Sequence, residues 1–198
     1  MGRLVCVAAA VAVATAVGVR AGQDLTRAEA DHMAEKLAVI EARGNTPAHL
    51  GTAPVRTSFT DREVNAYFRY NGKDRLPEGV LDPQVTFQSD SRVDVRAVVD
   101  LDAVRKSQQS WMAVVLLHGS VEVRVSGSIA VAGGKGTVQI LTATFGGIPI
   151  PPSLLQDVVG QYSKSPDLPN GFQLDRPFDL PANIREVRLQ HGAATIIQ

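Results

Sequence analysis

Apolar and polar residues alternate along much of the segment 92–145. In its first part every second position is apolar, namely Val93, Val95, Ala97, Val99 and Leu101. The positions between them are mostly charged. Successive side chains of an extended strand point to opposite faces, so this period of two predicts a strand with one apolar and one polar face. The alternation continues at 114–131 and 136–145, which are predicted to be joined by a glycine-rich hairpin turn.

Shorter strands are predicted on either side of this segment, at 85–88, 172–174, 184–190 and 193–197. Together the strands predict an antiparallel sheet that is apolar on one face and polar on the other. Gly127 interrupts a regular strand pattern, which predicts a bulge or a bend there.

Three amphipathic helices are predicted from apolar residues that recur three and four positions apart. They cover residues 24–43, the stretch after Thr60, and residues 153–162. Two of them begin with a threonine and a glutamate at capping-box spacing, Thr26 with Glu29 and Thr60 with Glu63. The predicted fold class is therefore α+β, with a curved antiparallel sheet packed against amphipathic helices.

Composition narrows the classes of partner. Hydrophobic residues make up 44% of the chain and aromatic residues 5%, so valine carries much of the predicted core, which favours a sheet over a helix bundle. The 20 basic residues balance 20 acidic ones. A nucleic-acid partner held by a basic surface is therefore not expected.

The N-terminus has the pattern of a secretory signal peptide. Arg3 is followed by an apolar run at 4–19 and by small residues up to Ala21, where we expect cleavage. An uncleaved anchor helix is the alternative, but the run is shorter than the ~20 residues of a membrane span. Cys6 lies inside the run, so the mature chain would contain no cysteine and suits an oxidising compartment, periplasmic or extracellular.

We divide the chain into a signal peptide at 1–21, an N-terminal helix and linker at 22–56, and an α+β domain at 57–198. Sequence motifs for catalysis are missing from all three. The four histidines lack metal-ligand spacing, and no serine lies in a nucleophile motif. Asp100 and Asp102 would project from one face of a strand, about 7 Å apart, but no nucleotide-binding pattern surrounds them. We expect neither enzymatic activity nor a metal or cofactor.

Several short motifs resemble those of bacterial LmeA-like envelope proteins, which belong to the tubular lipid-binding (TULIP-like) superfamily. They are Phe-Thr-Asp-Arg-Glu-Val-Asn-Ala-Tyr at 59–67, Leu-Pro-Glu-Gly-Val at 76–80, Val-Asp-Leu-Asp at 99–102, Ile-Pro-Ile-Pro at 148–151 and Leu-Pro-Ala-Asn-Ile at 180–184. The resemblance covers about residues 57–198. It implies a long curved sheet around a helix, with an apolar groove for phospholipid.

The predicted function is non-covalent binding of a lipid or another apolar small molecule by an exported protein of the cell envelope. We expect the helix at 153–162 to close over the valine face of the sheet as a flap. The predicted ligand-binding residues are Val121, Val123, Val125, Leu155, Val158, Val159 and Tyr162. Peripheral membrane contact is compatible with this prediction, and a protein partner is not identified. The alternative is a structural or assembly module whose apolar face is closed core or a docking surface for a protein.

Overall fold

The computed structural model describes residues 24–45, 53–106, 118–164, 169–174 and 176–198. Four α-helices lie in these ranges: α1 (Arg27–Gly44), α2 (Asp61–Tyr70), α3 (Leu101–Lys106) and α4 (Pro152–Tyr162). The strands are β1 (Arg56–Thr60), β2 (Val80–Phe87), β3 (Arg92–Asp100), β4 (Ser120–Ala132), β5 (Lys135–Phe145), β6 (Ile148–Pro149), β7 (Phe178–Asp179), β8 (Glu186–Gln190) and β9 (Ala193–Ile197). The predicted α+β class with antiparallel strands is confirmed.

The strands form two sheets. The larger sheet is open and has six strands, in the order β2-β3-β4-β5-β6, with β7 also pairing with β5. The smaller sheet has the order β1-β9-β8. Every strand pair is antiparallel. Apart from the β5–β7 pair, each pair of the larger sheet joins strands that follow one another in sequence.

The alternation read from the sequence sets the faces of the larger sheet. Val95 pairs with Val85 on one side and with Val125 on the other, so the valines of three strands share one face. Arg96 pairs with Arg124 on the opposite face. The predicted face assignment of β3 and β4 is therefore confirmed.

The hairpin turn and the bulge of the larger sheet lie at the glycines from which the sequence predicted them. Gly133 and Gly134 both have positive φ and form the hairpin turn between β4 and β5. The register between these strands shifts next to Gly127, where Leu141 is the additional residue on β5. The predicted bulge is confirmed.

Helix α2 is attached to the edge strand of the larger sheet by one side chain. The amide of Asn65 accepts a hydrogen bond from the Val85 backbone nitrogen (2.7 Å) and donates one to the Val85 carbonyl (2.9 Å). An edge strand otherwise presents unpaired backbone groups. Asn65 therefore satisfies both backbone groups of one residue on β2 and fixes the position of the helix.

Helix α1 packs against α2, and both capping boxes predicted from the sequence are present, Thr26 with Glu29 and Thr60 with Glu63. Both glutamates also form ion pairs across the interface, Glu29 with Arg62 (2.9 Å) and Glu63 with Lys36 (2.6 Å). Each glutamate therefore caps its own helix and also joins that helix to the neighbouring one. Helix α1, the predicted N-terminal helix, is therefore joined to the rest of the fold through α2.

The structure corrects three assignments. Strand β3 ends at Asp100, whose side chain accepts hydrogen bonds from the Asp102 and Ala103 backbone nitrogens and begins α3. Asp100 and Asp102 therefore do not project from one strand, and Leu101 belongs to the helix. Residues 172–174 form no strand, and the C-terminal hairpin pairs with β1 in the smaller sheet instead of extending the larger one. Predictions for 1–23 and 107–117 lie outside the described residues.

Candidate functional site

The apolar face of the larger sheet consists of cross-strand rows, each contributed by three or four strands. We call this surface the valine face. Its two central rows are Val85–Val95–Val125–Ala143 and Ala97–Val123–Phe145–Ile148. Strands lie about 4.8 Å apart, so four strands span about 14 Å of continuous apolar surface. Neither row contains a charged or hydrogen-bonding side chain.

Aromatic and helical residues cover the ends of the valine face. At one end Phe87 is 7% exposed and meets Phe59 edge to face, with the ring centroids 6.0 Å apart. Beyond it, a methyl group added at Gly136 would lie 2.7 Å from the ring of Phe178, so this ring covers the far end. At the opposite end α3 contacts β3 and β4, and Leu101 is 2% exposed.

The centre of the valine face remains accessible. Val95 is 37% exposed although its neighbours on both strands are apolar. Val85, Val125 and Val123 are half-buried. We expected the alternation to place Val95 inside a core. The structure corrects that expectation, since the residue lies on the apolar face but is not buried. A partly accessible row of valines therefore lies between two covered ends.

Three of the predicted ligand-binding residues, Val121, Val123 and Val125, lie on β4 within the valine face and are half-buried. On α4, Leu155 is 8% exposed, and Val158 and Val159 are half-buried. Helix α4 contacts the sheet mainly at β5, the strand next to β4. The side chain of Tyr162 lies outside the described part of the structure. That any of these residues contacts a ligand stays a prediction.

Sequence reasoning missed the contributions of Val85, Val95, Ala143 and Phe145 to the same rows. The alternation shows which face each residue occupies, but it does not show which strands are neighbours. The hairpin turns at 89–91 and 133–134 were the available signal, because each one implies that its two flanking strands pair.

Polar contacts hold α4 on one side. The Gln156 amide donates to the Phe172 carbonyl (3.1 Å) and accepts from the Leu174 backbone nitrogen (2.7 Å). The Ser163 hydroxyl accepts from the Phe172 backbone nitrogen (2.5 Å). Residues 169–174 therefore lie along the helix as a fixed support. Movement of α4 as a flap would require these hydrogen bonds to break.

The opposite face of the larger sheet is polar and charged. Glu122 forms ion pairs with Arg124 (2.5 Å) and Arg96, and these two guanidinium groups lower the pKa of the Glu122 carboxyl. The side chain of Glu122 is 32% exposed, and those of Arg96 and Arg124 are 47% and 66% exposed. This face is hydrated and is an unsuitable surface for an apolar ligand.

A cleft of about 840 Å³ lies on the polar side, between α2 and the end of β2. Apolar and charged residues both line it, among them Phe68, Arg69, Leu81, Asp82 and Val98. Leu81 pairs with Val98, the one valine on this face of β3. Gln84, Arg96 and Val98 place most of the cleft on the polar face of the sheet, whereas the two central rows of the valine face do not line it.

One polar cluster joins α3 to the start of β4. Asp102 accepts hydrogen bonds from the Gly119 backbone nitrogen (3.1 Å) and from Arg105 (2.7 Å), and the Gly119 bond lowers the pKa of its carboxyl. His118 lies beside both side chains and is 69% exposed. The cluster is open to solvent and explains how α3 is held. No group of metal-ligating side chains occurs among the described residues.

Comparison with known proteins gives no assignment, because no family model matches the chain and no curated protein is significantly similar to it. Within the described ranges, no helix is both long and apolar enough to cross a membrane.

Proposed function

We propose that this protein is an exported, non-enzymatic binding protein that holds a lipid or another apolar molecule on the valine face of its larger sheet. The observation that carries the proposal is the 37% exposure of Val95 in a central row whose other valines are only half-buried. Contiguous apolar patches on a protein surface often mark binding sites. The covered ends and hydrated opposite face favour a ligand of limited length.

The expected affinity follows from the number of methylene groups that the ligand buries on the valine face. Each buried methylene group of an acyl chain contributes about 0.8 kcal/mol. Ten methylenes contribute about 8 kcal/mol, and the loss of translational, rotational and conformational freedom on binding lowers the net value. We therefore expect a dissociation constant in the micromolar range or weaker.

The test is a titration of residues 22–198 with dansyl-labelled undecanoic acid, followed by dansyl fluorescence. The wild type should bind the probe, and Val95→Asp should abolish binding because a carboxylate in the central row opposes an apolar chain. The matched control is Val98→Asp, which places the same substitution on the same strand but on the polar face. Val123→Trp, which places a bulky ring in the second central row, should weaken binding as well.

Two results would refute the proposal: a folded wild type that binds no probe, or equal binding by Val95→Asp and the wild type. In either case the valine face would be better explained as a docking surface of a structural or assembly module. Mass spectrometry of an organic extract of the purified protein would identify a lipid that is retained from the cell.

A further inference from the structure

The sequence from Gly136 to Gln156 contains no charged residue, which makes it the longest charge-free run in a chain that is 20% charged. It forms most of β5, all of β6 and the start of α4. These elements are neighbours along one edge of the larger sheet. We call this surface the apolar edge.

Large apolar side chains project from the apolar edge into solvent. Ile148 is 71% exposed, more than any other large hydrophobic residue of the described chain, and Leu141 is 49% exposed. Pro149, Pro151 and Pro152 are also exposed. Gly146 and Gly147 both have positive φ and form the tight turn that projects Ile148 from the end of β5.

The apolar edge is continuous with the valine face. Ile148 pairs with Phe145, which pairs with Val123, so the exposed isoleucine is the last residue of a central apolar row. A molecule that leaves a bilayer at Ile148 would meet apolar side chains along the row.

The backbone chemistry of this edge disfavours a strand of another protein as its partner. Added strands bind through free N–H and C=O groups, and proline has no N–H. Pro149 lies in β6, and two further prolines follow it at 151 and 152. The prolines leave this edge few backbone donors for an added strand, and its exposed apolar side chains suit the acyl region of a bilayer.

We propose that the apolar edge is a membrane-contact surface, with Ile148 as the residue that enters the outer apolar layer of a lipid bilayer. The contact deepens the proposed function and rests on it, because the bilayer would be the source or the destination of the ligand. Since the apolar edge has no charge, binding should not depend on anionic lipid.

The absence of cysteine from residues 22–198 allows a direct test. Ile148→Cys, labelled with an environment-sensitive nitrobenzoxadiazole fluorophore, is mixed with vesicles of phosphatidylcholine and with vesicles that also contain phosphatidylglycerol. The label at 148 should become brighter and shift to shorter wavelength equally with both vesicles. The control is the same label at Val39, which is 49% exposed on α1 and should not respond.

Vesicle flotation supplies a second readout with unlabelled protein. Ile148→Asp should reduce the vesicle-bound fraction at least about tenfold, since it places a charge where the isoleucine would enter the apolar layer of the bilayer. Val39→Asp should not change it. A silent label at 148, equal responses at 148 and 39, or binding only to anionic vesicles would overturn the proposal.

The two proposals can fail separately. Leu141→Asp, which lies on the apolar edge but outside both central rows, should lose vesicle binding and still bind dansyl-labelled undecanoic acid in solution, because the probe reaches the valine face without a membrane. Loss of vesicle binding with probe binding intact would assign the apolar edge to membrane contact. Vesicle binding by a protein that binds no probe would contradict the proposed function while leaving the membrane contact in place.

Discussion

Asn65 is the residue on which the position of α2 depends most directly. Both of its side-chain hydrogen bonds go to the backbone of Val85, and both are part-buried. We expect Asn65→Ala to destabilise the protein by about 2 kcal/mol, because two backbone groups lose their partner in a site with little access to water. Urea unfolding of the variant and the wild type measures the difference.

The control for this prediction is Asn71→Ala. Asn71 also donates a side-chain hydrogen bond, to Asp31 (3.0 Å), but that bond is exposed. Its loss should change the free energy of unfolding by less than about 0.5 kcal/mol. If both asparagine variants were equally stable, the attachment of α2 to the sheet would not depend on Asn65.

Leu101 and Val95 show what sequence alternation can and cannot predict for single residues. Both occupy the same register of apolar positions, and both were expected on one face of one strand. In the structure Leu101 is 2% exposed in α3, whereas Val95 is 37% exposed on β3. The period of two gives the side of a strand, but burial depends on what packs against that side. Asp100 ends the strand by capping the helix, and this local signal outweighs the alternation.

Among the elements, those with strong local signals were predicted best. α1 and α2 have complete capping boxes within a few residues, and the β4–β5 hairpin has its glycines at the turn. The assignment of β8 and β9 to the smaller sheet could not be predicted in this way. Strand β9 pairs with β1, which lies about 135 residues earlier, as in the pairing of Phe59 with Ala194. Pairing over such a distance depends on tertiary packing and leaves no local pattern.

The contact between α1 and α2 should depend on pH. Burial raises the pKa of Glu63, but hydrogen bonds from Lys36 and from the Thr60 backbone outweigh it and lower the pKa below the ordinary value of 4.5. The unfolded chain therefore binds more protons than the folded one in this range. The stabilisation is complete above 4.5 and is lost as the pH falls through the folded-state pKa.

We therefore expect the free energy of unfolding to fall when the pH is lowered below 4.5, with Glu63 contributing about 1 kcal/mol to that fall. Glu63→Gln should be less stable than the wild type at neutral pH and should lose less stability in acid. Glu35→Gln, on the exposed side of α1, is the matched control. Parallel urea unfolding curves at several pH values measure these slopes, and an identical acid dependence of Glu63→Gln and wild type would contradict the prediction.

At the scale of the whole molecule, the sheet divides two environments. The valine face is apolar, and the opposite face carries Arg96, Glu122 and Arg124 together with the mixed cleft beside β2. The class of fold and the chemistry of each face could be predicted from the sequence, since alternation encodes both. The accessibility of the valine face could not, because it depends on how far α3, α4 and the aromatic residues extend across it. The exposure of the apolar edge could not be predicted either, because a run of uncharged residues does not reveal which of its side chains are accessible.

A ligand on the valine face would contact four strands at once, so its binding should stabilise the folded protein as a unit. Mass action gives a stabilisation of about 2.7 kcal/mol at a free ligand concentration of 100 times the dissociation constant. We therefore expect the melting temperature of the wild type to rise with the concentration of undecanoic acid, kept below its micellar range. Val95→Asp should show no such rise, whereas Val98→Asp should follow the wild type from its own starting temperature. Thermal unfolding followed by circular dichroism measures all three. If Val95→Asp were stabilised as much as the wild type, or if only Val98→Asp lost the effect, the ligand would occupy another site, for which the cleft beside β2 is the first candidate.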